Sequence, residues 1–131
     1  MKQKKLTSRP KLPKISEGMK AWSAALGAEV TEWPHVTTRI FFGFTALYRQ
    51  ENIFAVLPRT RAMETPNSLA FKLDPLTAQI SARLERDERV GTTTMQAARW
   101  FTFELSTDAD LRGALDWLGR AHEAAGRRKR G

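Results

Sequence analysis

Residues 36–73, VTTRIFFGFTALYRQENIFAVLPRTRAMETPNSLAFKL, decide the fold of this chain. β-Branched and aromatic residues form short apolar runs in this stretch, and glycine, proline or polar clusters separate them. Short apolar runs between turn signals are typical of β-strands. We therefore predict an antiparallel β-meander with the strands Val36–Phe42, Phe44–Tyr48, Ile53–Leu57 and Ser68–Leu73.

Two helix starts frame this meander. Ser16 can accept a hydrogen bond from the free amides of a first helical turn, and Gly27 is a natural helix end. Asp74–Pro75 predicts a second helix start, because a capping carboxylate precedes a proline suited to the first helical position. We expect the first helix to lie across the sheet.

The C-terminal third predicts one more strand and one more helix. Residues 91–94, GTTT, predict a loop, and Arg99–Leu105 alternates as a strand does. Thr107 and Asp110 resemble a capping box before the last helix. The order is therefore α-β-β-β-β-α-β-α, which is an α+β single domain with an antiparallel sheet flanked by three helices.

Length and composition set broad limits on the protein. One domain is the expected count for 131 residues, and 41% hydrophobic with 27% charged residues is ordinary for a soluble chain. The absence of cysteine excludes disulfides and thiolate chemistry, and it fits a reducing cytosol. Without an apolar run of about 18 residues or a signal-peptide pattern, we expect a cytoplasmic protein with no membrane partner.

The net charge of +8 is concentrated at the two ends of the chain. Residues 1–14 hold six basic residues, residues 126–131 hold four, and neither segment contains an acid. The other 12 basic residues face all 14 acidic ones, which leaves residues 15–125 at about −2. We predict a basic mobile arm over 1–14, a domain over 15–125 and a basic tail over 126–131. Such ends either bind phosphates non-specifically or are simply solvated.

The strand residues also suggest a family. Residues 39–48, RIFFGFTALY, followed by Ile53-Phe-Ala55, resemble the start of the TfoX N-terminal domain. Phe71-Lys-Leu-Asp-Pro75 and Arg99-Trp-Phe-Thr-Phe103 resemble the related MmcQ/YjbR-like proteins, and the likeness spans roughly residues 17–124. The resemblance implies a small α+β fold and, by analogy only, a DNA-binding-like role.

Four basic residues form the candidate anion site: Arg39, Arg59, Arg61 and Lys72. Arg39 and Lys72 lie on predicted strands, whereas Arg59 and Arg61 follow the central strand. If the four converge, they can bind phosphate or carboxylate, because the planar guanidinium of arginine suits both. The alternative is a set of separate surface charges.

Three aromatic residues, Trp33, Tyr48 and Trp100, are candidates for a groove that stacks bases or a ring-shaped ligand. Aromatic residues among strands also commonly form core, and that alternative stays open.

Catalytic and metal chemistry find little support in the sequence. His35 and His122 are the only histidines, and nothing in their spacing indicates a metal site. We interpret His122, on an apolar helical face, as a packing residue. No nucleophile elbow, phosphate-binding glycine loop or dinucleotide fingerprint is present, so we assign no catalytic residue, metal or cofactor.

These observations favour a non-catalytic binding or regulatory module of TfoX/YjbR-like fold that contacts nucleic acid or another anionic partner. The main alternative is a small-ligand-binding protein or enzyme with a pocket near the loop of residues 58–66. A third hypothesis is a self-associating protein that forms a homodimer.

Overall fold

An antiparallel sheet with helices on one of its faces forms the whole described structure. The computed structural model describes residues 14–63, 65–92 and 99–127. Within these ranges there are three helices and six strands. In chain order they are α1 (Glu17–Val30), β1 (Val36–Phe41), β2 (Phe44–Arg49), β3 (Asn52–Pro58), β4 (Ser68–Lys72), α2 (Ala78–Arg86), β5 (Val90–Thr92), β6 (Trp100–Glu104) and α3 (Asp110–Arg127).

The strand order across the sheet is β1-β2-β3-β4-β6-β5, and every neighbouring pair is antiparallel. The predicted meander is therefore confirmed as the first four strands, joined in sequence order. The predicted α+β single-domain fold class is confirmed with it.

The main core lies between the sheet and helices α1 and α3. Phe54, Phe71 and Phe103 from the sheet are fully buried, as are Met19 of α1 and Leu118 of α3. Burial of each such side chain stabilises the fold by about 1.5–3 kcal/mol. This face of the sheet holds the helices in place.

Helix α1 begins as the sequence predicts but ends later. The Ser16 hydroxyl accepts a hydrogen bond from the Met19 backbone N–H at 3.0 Å. The predicted end at Gly27 is wrong, since the helix continues to Val30. Gly27 instead faces the sheet, where an added Cβ would lie 3.7 Å from the Leu57 side chain.

Helix α2 does not begin at Asp74–Pro75, so that prediction is wrong. Thr77 caps the helix by accepting a hydrogen bond from the Ile80 N–H at 3.2 Å, and the Asp74–Pro75 peptide bond is cis. Leu73 still donates its N–H to the Arg99 carbonyl at 2.9 Å. The chain is thus tied to the sheet up to residue 73, and the helix forms only after it turns away.

The region predicted as a loop over 91–94 contains an additional strand. Val90–Thr92 pairs with β6, with Val90 opposite Phe103. This strand exists because β6 offers an edge to it, and that partner lies farther along the chain. The loop prediction is wrong for the residues up to Thr92, and residues 93–94 lie outside the described residues.

The predicted final strand is confirmed as β6, and the carboxylate of Asp110, the first residue of α3, bonds back to the preceding backbone. Asp110 accepts hydrogen bonds from the backbone N–H groups of Ser106 at 2.7 Å and Thr107 at 3.1 Å. Helix α3 continues to Arg127. Of the predicted arm over 1–14, only Lys14 lies within the described residues, and it forms an antiparallel bridge with Arg61.

Candidate functional site

The sheet face opposite α1 and α3, here called the open face, carries two of the four candidate cations. Residues directly opposite each other in antiparallel strands share a face. The register places Arg39 opposite Ala46, Ala46 opposite Val56 and Val56 opposite Ala70. Val56 and Ala70 belong to an apolar cluster separate from the main core. Arg39 therefore lies on the open face.

Tyr48 and Lys72 also lie on the open face. The guanidinium carbon of Arg39 lies 5.4 Å from the centroid of the Tyr48 ring, a cation–π contact worth about 0.5–1 kcal/mol at an exposed site. Lys72 pairs with Trp100, which belongs to the same open-face cluster. The sequence-predicted candidates Arg39, Lys72, Tyr48 and Trp100 thus share one face.

Trp100 is part of the packing of that face. It is 9% exposed and forms the open-face cluster with Val56 and Ala70. Met63, from the loop between β3 and β4, packs against this cluster. Phe44 and Ile53 complete it as partly buried members. The open face therefore has an apolar centre, and the two cations Arg39 and Lys72 lie on the same face.

Arg59 lies on the other side of the sheet. It lines a groove between α1 and the β1–β2 hairpin, here called the α1 groove, together with Lys20 and Thr38. Thr38 and Arg39 are neighbours on β1 and so point to opposite faces. The structure therefore does not bring all four predicted cations together on one surface.

Arg61 lies beside the turn between β1 and β2. An added Cβ at Gly43 would lie 3.0 Å from Arg61 Cγ, so the Arg61 stem packs on that turn. Gly43 also accepts backbone hydrogen bonds from Arg59 at 2.8 Å and Thr60 at 3.0 Å. Arg61 thus marks the end of the sheet where Lys14 enters.

Trp33 is separated from the other two aromatic candidates. Its ring meets the His122 ring edge-on, with the centroids 5.5 Å apart, and His122 meets Phe54 in the same way at 5.5 Å. His122 is 9% exposed, and its Nε2 lies 2.9 Å from the Pro34 carbonyl oxygen. His122 thus packs α3 onto the start of β1, whereas His35 is exposed.

The end of α3 is held by two polar side chains that sequence reasoning missed. Arg49 donates a hydrogen bond from Nη1 to the His122 carbonyl at 3.0 Å, and Asn52 donates one from Nδ2 to the Ala125 carbonyl at 3.0 Å. The Ala125 carbonyl is among the last four of the helix, which lack an intrahelical donor, whereas the His122 carbonyl lies one turn earlier and gains the Arg49 hydrogen bond in addition. The only local signal was a polar turn between two strands, and it does not reveal this partner.

A second missed feature is an ion network centred on Arg89. Its guanidinium bonds Asp87 through Nε at 3.0 Å and Asp110 through Nη1 at 3.0 Å, and it lies 4.8 Å from the Phe103 ring centroid. The segment ERDER over 85–89 had the pattern of a solvated helix end. In the structure it joins α2, β5 and α3, and an open depression of about 610 Å³ lies over it.

The network shifts the titration of all three groups. Burial would raise the pKa of Asp87, but hydrogen bonds from Arg89 and Trp117 outweigh it and hold this pKa below its ordinary value. The pKa of Asp110 is lowered by the Ser106 backbone N–H, then by Arg89 and the Thr107 N–H. Hydrogen bonds to Asp87 and Asp110 raise the pKa of Arg89. All three groups are therefore charged near neutral pH.

No group of three or more His, Asp or Glu side chains in residues 14–63, 65–92 and 99–127 could hold a metal ion. No helix in the same part of the chain is long and apolar enough to cross a bilayer.

No family model, no curated protein and no solved structure matches this chain. What the fold defines is an α+β domain with a six-stranded antiparallel sheet within the described residues. The likeness to TfoX and YjbR-like proteins stays a prediction.

Proposed function

We propose that this protein is a non-catalytic binding or regulatory module of TfoX/YjbR-like fold that contacts nucleic acid through its basic ends. The proposal includes a cytoplasmic location, which the absence of cysteine favours, and self-association as a homodimer. The observation that carries it is the separation of charge: ten basic residues at the two ends, without an acid, flank a body of about −2.

The geometry of the body supports this proposal. The chain enters the described structure at Lys14, which pairs with Arg61 beside the β1–β2 turn. It leaves at Arg127, and the preceding Gly126 faces the Arg49 guanidinium at the β2–β3 turn. Strand β2 separates these turns by roughly 17–20 Å. A nucleic-acid segment that reaches both ends across the open face would pass Arg39.

Fluorescence anisotropy with a labelled duplex of about 20 base pairs tests the proposal, at roughly 50 and 200 mM salt. Binding should weaken steeply with salt, because released counterions drive the association. Deleting residues 1–13 and 128–131 removes eight basic residues and keeps the Lys14 bridge. We expect this deletion to lower affinity by at least about tenfold and to flatten the salt dependence.

Two matched substitutions distinguish a specific contribution of the open face to affinity from the effect of removing any one positive charge. Arg39→Gln should weaken binding about two- to fivefold, whereas Arg112→Gln, which removes an exposed charge on α3, should change it less. Absence of binding at low salt, or equal affinity of the full and truncated chains, would contradict the proposal.

The α1 groove favours a second candidate function, the binding of a small amphipathic anion. The groove holds about 360 Å³, within the range of ligand pockets, and Leu47 and Leu57 form part of its wall. The Ser23 hydroxyl lines it, is buried, and has no hydrogen-bond partner among the described residues. Lys20 and Arg59 supply positive charge along the same groove.

Decanoate, which has an apolar chain and one carboxylate, is a suitable probe for this candidate. Binding should raise Tm as the decanoate concentration increases, since a ligand that binds only the folded state stabilises it. Arg59→Gln should reduce the shift, whereas Arg112→Gln should not. An equal shift in the wild type and Arg59→Gln, or no shift, would count against a site in this groove.

A further inference from the structure

Strand β1 is an edge strand with unusually little protection. It lies at one end of the sheet, and its only strand partner among the described residues is β2. Five of its six residues are exposed. The sequence VTTRIF combines high β-propensity with one charge and contains no proline. Natural edge strands are usually protected by charged side chains, proline, a bulge or short length, because an open edge is a template for another strand.

The hairpin turn determines which backbone groups of β1 point outward. Phe42 and Gly43 have φ values of 46° and 84°, which defines a two-residue turn of type I′. Phe41 and Phe44 close that turn as a hydrogen-bonded pair. The bonding then alternates along the strand, and the 2.9 Å hydrogen bond from Gln50 N–H to the His35 carbonyl keeps the same parity.

As a result, Thr37 and Arg39 bond to β2, whereas Val36, Thr38 and Ile40 direct their N–H and C=O groups away from the sheet. No described residue bonds to these outward groups. The edge therefore offers three residues with free donors and acceptors at every second position.

We propose that two copies of this chain pair antiparallel through β1, around a two-fold axis at Thr38. In this register Thr38 lies opposite Thr38 of the second copy, and Val36 lies opposite Ile40 of the second copy. All three outward-facing residues are used, which gives on the order of six backbone hydrogen bonds. The result is one continuous sheet across the dimer.

The neighbouring symmetric registers are poorer. Centring the axis on Arg39 places two guanidinium-bearing side chains directly opposite each other at about 4.5 Å between Cα atoms, and like charges there are destabilising. Centring it on Thr37 places Ile40 opposite Pro34, which has no N–H to donate. Only the Thr38 register uses the whole edge and separates the two Arg39 side chains.

The same register covers the most exposed apolar residues of the described structure. Ile40 is 64% exposed and would pack beside Val36 of the second copy. Phe41 and Phe42 are 40% and 84% exposed, and they would extend towards the exposed Pro34–His35 corner of the second copy. Exposed apolar side chains grouped in this way commonly mark an interface. The patch and its cover come from the two ends of one strand, so a second copy is the partner it fits.

This inference deepens the self-association in the proposed function and is tested independently of nucleic acid. Size-exclusion chromatography with light scattering should give about twice the 14.8 kDa chain mass at high protein concentration, with dissociation on dilution. Thr38→Lys should give the monomer mass, because two ammonium groups meet at the axis. Thr31→Lys makes the same change at the exposed end of α1 and should leave the dimer intact.

Single cysteines report the register, since the chain contains no other cysteine. Thr38→Cys should form a disulfide dimer on mild oxidation, because paired Cα atoms about 5.5 Å apart suit the bond. Thr37→Cys should cross-link at least about tenfold more slowly, since its two copies lie beyond about 7 Å. A monomer mass at every concentration, or faster cross-linking of Thr37→Cys, would overturn the proposal. Loss of nucleic-acid binding with the dimer intact would affect only the function proposed above.

Discussion

The indole Nε1 of Trp117 donates a hydrogen bond to Oδ2 of Asp87 at 2.9 Å, which joins α3 to the segment after α2. Asp87 also accepts a hydrogen bond from Arg89, and Arg89 bonds Asp110 at the start of α3. Two segments distant in sequence, residues 87–89 and helix α3, are thus joined around one guanidinium.

Replacing Arg89 should destabilise the fold. Arg89→Met keeps an apolar stem over Phe103 but leaves two partly buried carboxylates without their cation, which should lower the free energy of unfolding by about 2 kcal/mol. Urea unfolding followed by circular dichroism measures the change. Arg112→Met, at an exposed position of α3, should stay within about 0.5 kcal/mol of the wild type. Equal losses in the two variants would contradict a structural role for the network.

The same network should make the fold sensitive to acid. Because the folded-state pKa values of Asp87 and Asp110 are lowered, their stabilisation is present above the unfolded-state pKa of about 4 and is lost as the pH falls through the lowered values. The pKa of Arg89 is raised from an already high value, so it adds no pH dependence near neutrality. Urea titrations between about pH 7 and pH 3 should show falling stability.

Asp87→Asn removes one of the two carboxylates that titrate between about pH 7 and pH 3. Its stability should be lower than that of the wild type near pH 7, and the difference between the two proteins should narrow towards pH 3. If the difference in the free energy of unfolding between the wild type and Asp87→Asn is the same at every pH, the negative charge of Asp87 does not contribute to stability.

A single substitution in the β1–β2 turn should stabilise the fold. Phe42 adopts a positive φ of 46°, which is unfavourable for a bulky side chain, and Asn-Gly is the preferred sequence of a type I′ turn. Phe42→Asn should raise the free energy of unfolding by about 0.5–1 kcal/mol, measured by urea or thermal unfolding.

Gly43→Ala is the opposing control for the same turn. Gly43 has a φ of 84°, and an added Cβ would lie 2.7 Å from Thr60 Oγ1, so this change should cost at least about 1 kcal/mol. If Phe42→Asn also destabilises the protein, the edge-on contact of the Phe42 ring with Phe41 (centroids 5.9 Å apart), or its contact with the second copy in the proposed dimer, outweighs the relief of the unfavourable φ.

Ser23 gives a prediction that links stability to the α1 groove. Its hydroxyl is buried and has no hydrogen-bond partner among the described residues, so Ser23→Ala should stabilise the protein without ligand by about 1 kcal/mol. The same variant should show a smaller Tm shift with decanoate, if the hydroxyl bonds the ligand. A destabilised variant would mean that the hydroxyl is satisfied in solution.

Local patterns were sufficient for much of the fold. The alternation and turn signals of residues 36–73 predicted β1 to β4 and their meander order, because those strands pair with sequence neighbours through short turns. Ser16 was also predictable as a cap, since its hydroxyl bonds an amide within one helical turn. The Asp74–Pro75 helix start failed because strand β4 remains tied to the chain at Arg99, which no local pattern reports.

For the candidate sites, too, the sequence predicted candidate residues, whereas the tertiary structure decided where they lie. The sequence identified Arg39, Arg59, Arg61 and Lys72 as candidates for an anion site, but the face on which each lies depends on strand parity and on the path of the loop after β3. The tertiary structure placed Arg39 and Lys72 on the open face and Arg59 in the α1 groove. It also assembled the Arg89 network, whose second carboxylate lies 21 residues away.

By itself, the amino-acid sequence determined the strands of the meander, the α+β class and the concentration of positive charge at the two ends. Only the tertiary structure decided the strand β5, the start of α2, the ion network and the faces on which the cations lie. The physical reason is the distance along the chain over which each kind of interaction acts. Dihedral preferences and side-chain periodicity act within a few residues, whereas an ion pair or an edge-strand pairing depends on where distant segments meet in the folded chain.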